Sequence, residues 1–182
     1  VNTILFHVRA HSDAYYQSSV FPPADAATTL LADGFDPLAY AIEAAHIRGI
    51  SLHAWVNPYR IGSTADAAVT EAVFQHNGTY YYDPAADTVK QTVLRGVREL
   101  LGYDIDGVHF DDYFYPTGLS EDAAPFEQIP DGITVGDWRR TQVDTLVSAV
   151  SGLARRAGKV FGISPVGLPD KARGDHYADV AA

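Results

Sequence analysis

The 182-residue chain contains no cysteine and no methionine. Without cysteine, the protein cannot form disulfide bonds, cysteine-ligated zinc sites or a cysteine nucleophile. No apolar run is long enough to cross a membrane as a helix, so we expect no membrane-spanning segment. Because position 1 is not methionine and a strand-like run already begins at Thr3, we expect the chain to start inside a longer gene product.

Basic residues are also scarce. The chain has 13 lysines and arginines against 23 aspartates and glutamates, a formal net charge of −10. Binding to a phosphate backbone relies on clustered positive charge, so we expect no nucleic-acid partner. With 47% hydrophobic residues, a chain of this length is sufficient for one domain with its own core.

Strand-like and helical patterns alternate along the chain. The strand-like runs are Thr3–Arg9, Ile50–Val56, Gly107–Asp111 and Val160–Ser164, and helical patterns cover Leu38–Arg48, Val89–Leu101 and Asp137–Ala157. This order predicts an α/β fold with parallel strands joined by helices. Asp36-Pro37 and Asp83-Pro84 each resemble an N-cap followed by proline in the first helical turn. We also predict a short helix within residues 64–76.

Each predicted strand ends in polar and aromatic residues. The carboxyl ends of parallel strands lie at one edge of a sheet, where this class of fold builds its site. We therefore expect one shared pocket, formed by His7, Arg9 and His11 after the first strand, His53, Trp55, Asn57, Tyr59 and Arg60 after the second, His109, Asp111, Asp112, Tyr113 and Tyr115 after the third, and Ser164 after the fourth.

The third strand carries the strongest catalytic candidate. Alternation places His109 and Asp111 on one face and Val108, Phe110 and Asp112 on the other. A buried carboxylate is costly unless it is paired or used in chemistry. We therefore predict that Asp111 is catalytic.

Several runs together resemble a bacterial glycosyl-hydrolase-like family, family ten, whose members look like TIM-barrel glycosidases of the cell envelope. The resemblance covers nearly the whole chain in the right order. It is carried by His7-Val-Arg9, Asp13-Ala-Tyr-Tyr16, Phe35-Asp-Pro-Leu38, His46-Ile-Arg-Gly49, the run from His53 to Arg60, the run from Asp106 to Pro116, Asp137-Trp-Arg-Arg140 and Phe161-Gly-Ile-Ser-Pro165.

The resemblance implies a (β/α)₈ barrel similar to the amylase and α-galactosidase enzymes, with Asp111 at the position of the nucleophile. It also implies that the subsite is lined by Arg9, His53, Asn57, Tyr59 and His109. A complete barrel needs about 250 residues. We therefore expect residues 1–182 to be a single barrel domain, incomplete at both ends and with about half of the barrel present. An extracellular or cell-envelope location and a peptidoglycan-like glycan substrate are implied by the resemblance alone.

Glycoside hydrolysis requires two carboxyl groups, one protonated and one ionised. We expect Asp111 to be the ionised group, held so by Arg9 and a strand-end histidine. Trp55 and Tyr113 or Tyr115 are expected to stack on sugar rings, and His7 and Arg60 to contact substrate. The acid stays open among Asp112, Glu121, Asp122, Glu127 and a residue outside this chain. This mechanism uses no cofactor and no metal ligand.

Two other functions fit the same residues. Imidazole and carboxylate groups suit zinc or manganese, so a metal-dependent hydrolase could use His7, His11, His53, His109 and Asp111, although their spacing matches no short metal motif. A glycan-binding module that keeps the pocket without catalysis is the third reading.

Overall fold

The computed structural model of the protein describes residues 1–63, 71–120, 123–124 and 127–179. Its elements follow one another along the chain as β1 (Thr3–Arg9), a 3₁₀ turn (Asp25–Ala27), α1 (Thr28–Ala32), α2 (Pro37–His46), β2 (Ser51–Val56), β3 (Arg60–Gly62), β4 (Val73–His76), β5 (Thr79–Tyr82), α3 (Asp87–Leu100), β6 (Gly107–Phe110), α4 (Val135–Arg156), β7 (Val160–Ile163) and α5 (Pro169–Asp175).

Four parallel strands form the central sheet in the order β1-β2-β6-β7. The helices α2, α3 and α4 connect successive strands, as parallel pairing requires. This pattern of strand, helix and strand is half of a (β/α)₈ barrel, and it confirms the predicted fold class. None of the helices in the described part of the chain is long and apolar enough to span a bilayer.

The two faces of the sheet differ in burial. One face packs against the helices and is fully buried at Leu52, Ala54, Val108 and Phe110. Its partners include the apolar stripes of the helices, namely Leu38, Ile42, Val89, Val93, Val97, Val143, Leu146 and Val150. On the other face, which is the inner face of a barrel, Leu5 is 43% exposed and Val160 is 56% exposed.

The predicted start of α2 is confirmed, whereas that of α3 is wrong. The Asp36 carboxylate accepts hydrogen bonds from the backbone N–H groups of Leu38 and Ala39, which makes it the N-cap of α2. Asp83 is instead fully buried, and its Oδ1 accepts from the N–H of Ala85 in a turn before α3 begins. The Asp-Pro pair therefore marks a turn in the second case.

A three-stranded antiparallel sheet, in the order β3-β5-β4, lies between β2 and α3. We call residues 60–82 the insert. A short helix was predicted within residues 64–76. Residues 73–76 of this range form β4 and not a helix, and residues 64–70, where the rest of the prediction falls, lie outside the described residues. The hairpin between β4 and β5 turns at Asn77 and Gly78, both with positive φ. An Asn-Gly pair in this conformation is the preferred two-residue turn of a β-hairpin.

Candidate active site

Inward-facing side chains of the central sheet form level rows, because parallel pairing brings residues of equal register side by side. One row is His7, Trp55, His109 and Gly162, and the row below it contains Leu5, His53, Gly107 and Val160. Each row contains one glycine next to a histidine. A Cβ on Gly107 would lie 2.9 Å from the His53 ring, and one on Gly162 would lie 2.7 Å from Nδ1 of His109. The two glycines therefore make room for the two histidines.

His7 and Trp55 are stacked, with ring centroids 4.0 Å apart and planes inclined by 10°. Such a pair is worth about 0.5–1.5 kcal/mol beyond the burial of its area. His109 lies on the other side of Trp55 in the row and shares a 2.7 Å hydrogen bond between its Nε2 and the Ser164 hydroxyl. The row is therefore fixed by contacts at both ends.

Asp111 follows this row at the carboxyl end of β6. Its side chain is half-buried, and burial raises the pKa of Asp111 above its usual value. The Trp55 indole N–H lowers that pKa and the charge of Asp112 raises it, while His7 and His109 lower it. The net pKa remains raised, because loss of hydration dominates. Asp111 therefore carries the perturbed carboxyl group expected of a catalytic residue.

The histidines of the row have pKa values below the usual one. Burial is the main cause for both His7 and His109, and the nearby carboxylate of Asp111 opposes it. His11 lowers the pKa of His7 further, and His53 does the same for His109. Both rings are consequently neutral at neutral pH.

Five buried polar atoms around Asp111 lack a hydrogen-bond partner among the described residues. They are His7 Nε2, Asp13 Oδ1, Trp55 Nε1, Asn57 Oδ1 and Asp111 Oδ1. Asn57 interacts with His7, and Trp55 with Asp111, but neither pair closes a hydrogen bond of normal geometry. Because buried polar groups are normally hydrogen-bonded, this concentration at the strand ends is typical of a site that receives a polar ligand.

Arg9 lies away from Asp111. The register of β1 shifts between His7 and Arg9, which turns Arg9 to the helix-facing side of the sheet beside Val56. Its Nη2 donates to the carbonyl oxygens of Asn57 at 2.7 Å and Pro58 at 2.6 Å, and the guanidinium lies 4.3 Å over the Phe21 ring. The expectation that Arg9 holds Asp111 ionised is therefore wrong. Arg9 instead fixes the backbone after β2.

The second predicted catalytic residue, Asp112, points to a different partner. Its backbone is left-handed, with φ of 44°, and its Oδ2 lies 2.5 Å from Nη2 of Arg60. Glu127, another candidate for the acid, is buried in an ion pair in which Arg139 Nε lies 2.7 Å from its Oε1. Both carboxylates are therefore engaged by arginine side chains, and neither pairs with a residue of the row. Glu121 and Asp122 lie outside the described residues.

The predicted sugar platforms Tyr113 and Tyr115 are wrong as well. Tyr113 is 3% exposed and Tyr115 is 0% exposed, so neither presents a ring face to a substrate. Burial raises the pKa of Tyr113 to about 12 and that of Tyr115 still further. Tyr59 is also a core residue, 1% exposed and with its pKa raised by burial. These three tyrosines are part of the hydrophobic core.

The histidines and Asp111 are not arranged as a metal site. No group of three histidine, aspartate or glutamate side chains within the described ranges is placed to hold a metal ion. The ligand set of the metal-dependent reading, namely His7, His11, His53, His109 and Asp111, is therefore not brought together as such a site.

Comparisons with known proteins decide the family. Residues 1–182 match the model of the family described as Glycosyl hydrolase-like 10. The chain belongs to this family. It is similar to glycosyl hydrolase YngK of Bacillus subtilis (strain 168), at 33% identity over 96% of this chain and 39% of the relative. It is also similar to glycosyl hydrolase DigH of Escherichia coli (strain K12), at 30% identity over 92% of this chain and 45% of the relative.

The chain thus spans less than half the length of these two relatives of the Glycosyl hydrolase-like 10 family. Among solved structures, it is similar to alpha-L-fucosidase isoenzyme 2 from Paenibacillus thiaminolyticus, with a TM-score of 0.65 and 16% identity over 93% of this chain and 28% of that chain. At this identity the likeness shows the fold, which is a TIM barrel, here a partial one.

A cleft of about 580 Å³ opens beside the strand ends of this Glycosyl hydrolase-like 10 domain. We call it the main cleft. One wall comes from the loop after β1 and the other from β3, and the lining includes His11, Ser12, Asp13, Asp25, Arg60 and Thr79. Asp13 connects the cleft to the row, because its charge acts on His7. Asp13 was not among the predicted site residues, although it follows the first strand within a run that carries the family resemblance.

Arg60 also lines a second, smaller cavity of about 170 Å³, which we call the side pocket. Its other lining residues are Tyr81, Asp112, Phe114, Pro116, Thr117 and His176. Three of these, Tyr81, Phe114 and His176, were not among the predicted site residues. The Asn77-Gly78 turn signal would have revealed the hairpin that carries Tyr81, whereas nothing in the sequence indicated that His176 lies near the end of β6.

Proposed function

We propose that this chain carries the carboxylate half of a glycosidase active site, with a cell-envelope polysaccharide as substrate. A peptidoglycan-like glycan and an extracellular or cell-envelope location are favoured by the motif resemblance. One observation carries the proposal. Asp111 has a buried oxygen with no hydrogen-bond partner among the described residues, beside two neutral histidines at the carboxyl ends of parallel strands.

In the proposed mechanism Asp111 is the ionised carboxylate that attacks the anomeric carbon or activates water. Its pKa is raised from that of an ordinary aspartate, and the mechanism requires the group to be ionised when the substrate binds. The neutral rings of His7 and His109 present polar N–H edges beside it without competing as strong bases. In this proposal the row positions the carboxylate, with the Trp55 indole N–H directed towards it.

A second carboxyl group must protonate the leaving oxygen. Asp112 and Glu127 are paired with arginines. Among the described carboxylates, Asp13 and Asp111 are those that have a buried oxygen without a hydrogen bond. Asp13 also lines the main cleft and interacts with His7. It is therefore the second carboxyl group that we propose from the described residues.

Replacement of Asp111 by asparagine tests the proposal. The change keeps the shape and removes the charge, so we expect kcat/KM for release of reducing ends from peptidoglycan to fall by about 10³-fold or more. The measurement uses the full-length protein. The matched control is Asp104→Asn, because Asp104 is 82% exposed before β6 and its replacement leaves the row intact.

Circular dichroism and thermal unfolding would establish that both variants are folded. A folded Asp111→Asn protein with wild-type turnover would overturn the mechanism. Retention of glycan fragments by the wild-type protein, without any release of reducing ends, would instead indicate a glycan-binding module.

A further inference from the structure

The side pocket has aromatic walls from three separate parts of the chain. Tyr81 comes from β5, Phe114 from the segment after β6, and His176 from the residue that follows α5. All three side chains are partly exposed. This differs from Tyr113 and Tyr115, which are buried, so the side pocket offers accessible aromatic ring surface near the strand ends.

Each aromatic side chain that lines the side pocket packs against another ring. Tyr81 stacks on the buried Phe74, with centroids 5.8 Å apart and planes inclined by 23°. Phe114 packs edge-on against the buried Tyr113 at 5.2 Å and contacts the His176 ring at 4.6 Å. A wall that is already ordered loses little side-chain entropy when a ligand binds, so these contacts favour binding.

Hydrogen bonds connect the walls to each other. His76 Nε2 lies 2.9 Å from the carbonyl oxygen of Thr117 and donates to it, which joins the insert to the segment after β6. The Thr117 hydroxyl lies 3.0 Å from His176 Nε2. The pocket is thus a built feature of the fold, with its three sides linked by contacts among its own residues.

The Arg60–Asp112 ion pair separates the side pocket from the main cleft. Arg60 lines both cavities, and Asp112 lines the side pocket immediately after Asp111 in the chain. Arg60 Nε has no hydrogen-bond partner among the described residues. The boundary therefore offers donors and acceptors suited to hydroxyl groups, next to aromatic faces suited to C–H groups.

We propose that the side pocket is a subsite for one sugar ring of an extended glycan whose neighbouring rings lie in the main cleft. Its volume of about 170 Å³ suits a single ring, whereas the main cleft at about 580 Å³ holds several. The inference rests on the proposed function, because it assumes that the ligand is a glycan. Beyond the proposed function, the inference identifies the side pocket as the place where the glycan continues past Asp111.

Binding measurements on the inactive Asp111→Asn full-length protein test the subsite. The probes are two-ring and six-ring fragments of peptidoglycan glycan strands, and affinity is measured by calorimetry. Phe114→Ala removes one wall. We expect it to weaken binding of the six-ring fragment about three- to tenfold and to leave the two-ring fragment unchanged.

The matched control is Phe35→Ala, because Phe35 is a 41% exposed phenylalanine that pairs with Tyr40 and lines neither cavity. We expect it to leave both affinities unchanged. The inference is overturned if Phe114→Ala spares the six-ring fragment, if it weakens both fragments equally, or if Phe35→Ala has the same effect. A length-selective loss in a protein whose Asp111→Asn form still turns over substrate would preserve the subsite and reject the mechanism alone.

Discussion

At the scale of single residues, burial in the fold disfavours the charged form of the Asp111 carboxyl group. Asp111 is half-buried, and both burial and the charge of Asp112 raise its pKa, while burial lowers the pKa values of His7 and His109. When an ionised carboxylate is buried and one of its oxygens has no hydrogen bond, the folded protein is less stable. Such a cost is expected where a group is kept for chemistry and not for stability.

This cost predicts that Asp111→Asn stabilises the protein at neutral pH. The folded-state pKa of Asp111 lies above its unfolded value, so its favourable contribution is fully present below the unfolded pKa of about 3.9 and is lost as pH rises through the folded pKa. The neutral amide avoids that loss. We expect a higher free energy of unfolding for the variant at pH 7, with the difference shrinking towards pH 4.

Urea unfolding of the wild-type and variant proteins at both pH values measures this difference. A variant that is less stable than wild type at pH 7 would contradict the prediction. It would show that Asp111 makes a stabilising contact as an anion.

Residue-level expectations succeeded where strand alternation is regular. In β6, the predicted faces agree with the burial of Val108 and Phe110 and the half-buried state of Asp111. They failed for Arg9, because the bulge before it reverses the face and is not visible in the sequence. They failed for Tyr113 and Tyr115, because a tyrosine near a pocket and a tyrosine in a core look alike in the sequence.

At the scale of elements, the site depends on two strand glycines whose missing side chains leave room for histidine rings. Gly107 and Gly162 lie on strands next to those that carry His53 and His109, and each histidine occupies the space where a Cβ would be. Inward-pointing residues of alternate strands fill a barrel in layers. The glycines on β6 and β7 therefore set the positions of the histidines on β2 and β6.

We predict that Gly162→Ala moves His109 and breaks its hydrogen bond to Ser164. The new Cβ would lie 2.7 Å from Nδ1 of His109, so the imidazole must shift. Crowding of this kind costs about 1–3 kcal/mol of stability, and we expect kcat to fall along with it. Unfolding by urea and steady-state kinetics measure the two effects.

Gly174→Ala is the control, because a Cβ at Gly174 meets no atom within 4 Å. We expect this variant to keep wild-type activity. Equal behaviour of the two alanine variants would contradict the role assigned to Gly162.

The elements themselves were predictable to different degrees. The helices α2, α3 and α4 follow from hydrophobic periodicity over long segments, and the four parallel strands follow from their alternation with these helices. The strands β3, β4 and β5 of the insert have three or four residues each and no long helical pattern between them, so the sequence did not reveal them. Its order comes from pairing between strands, which a single sequence does not display.

At the scale of the whole molecule, one buried cation joins three segments. Arg139 on α4 donates from Nε and Nη2 to the two carboxylate oxygens of Glu127. It also donates to the carbonyl oxygen of Ser120 at 2.9 Å and to the Tyr177 hydroxyl at 3.2 Å. Its guanidinium also lies 5.2 Å from the centroid of the Tyr115 ring. Arg139 thus holds the segment after β6 and the segment after α5 against the same helix.

We expect Arg139→Ala to lower the free energy of unfolding by about 3–5 kcal/mol, because it leaves Glu127 buried without its partner. The neighbouring Arg140→Ala should change it by less than about 1 kcal/mol, since Arg140 pairs with an exposed Asp137. Urea unfolding distinguishes the two. A double Arg139→Ala/Glu127→Ala variant should lose less than the sum of the single changes, and strict additivity would contradict the pairing.

The two ends of the insert lie side by side, since the N–H of Tyr82 donates to the carbonyl oxygen of Tyr59 at 2.8 Å. A segment whose ends meet in this way can be lengthened, shortened or exchanged between homologous enzymes without altering the path of the strands that flank it. Because the same segment supplies Arg60 to both cavities and Tyr81 to the side pocket, a change confined to residues 60–82 can reshape the two cavities while β2 and β6 keep their positions.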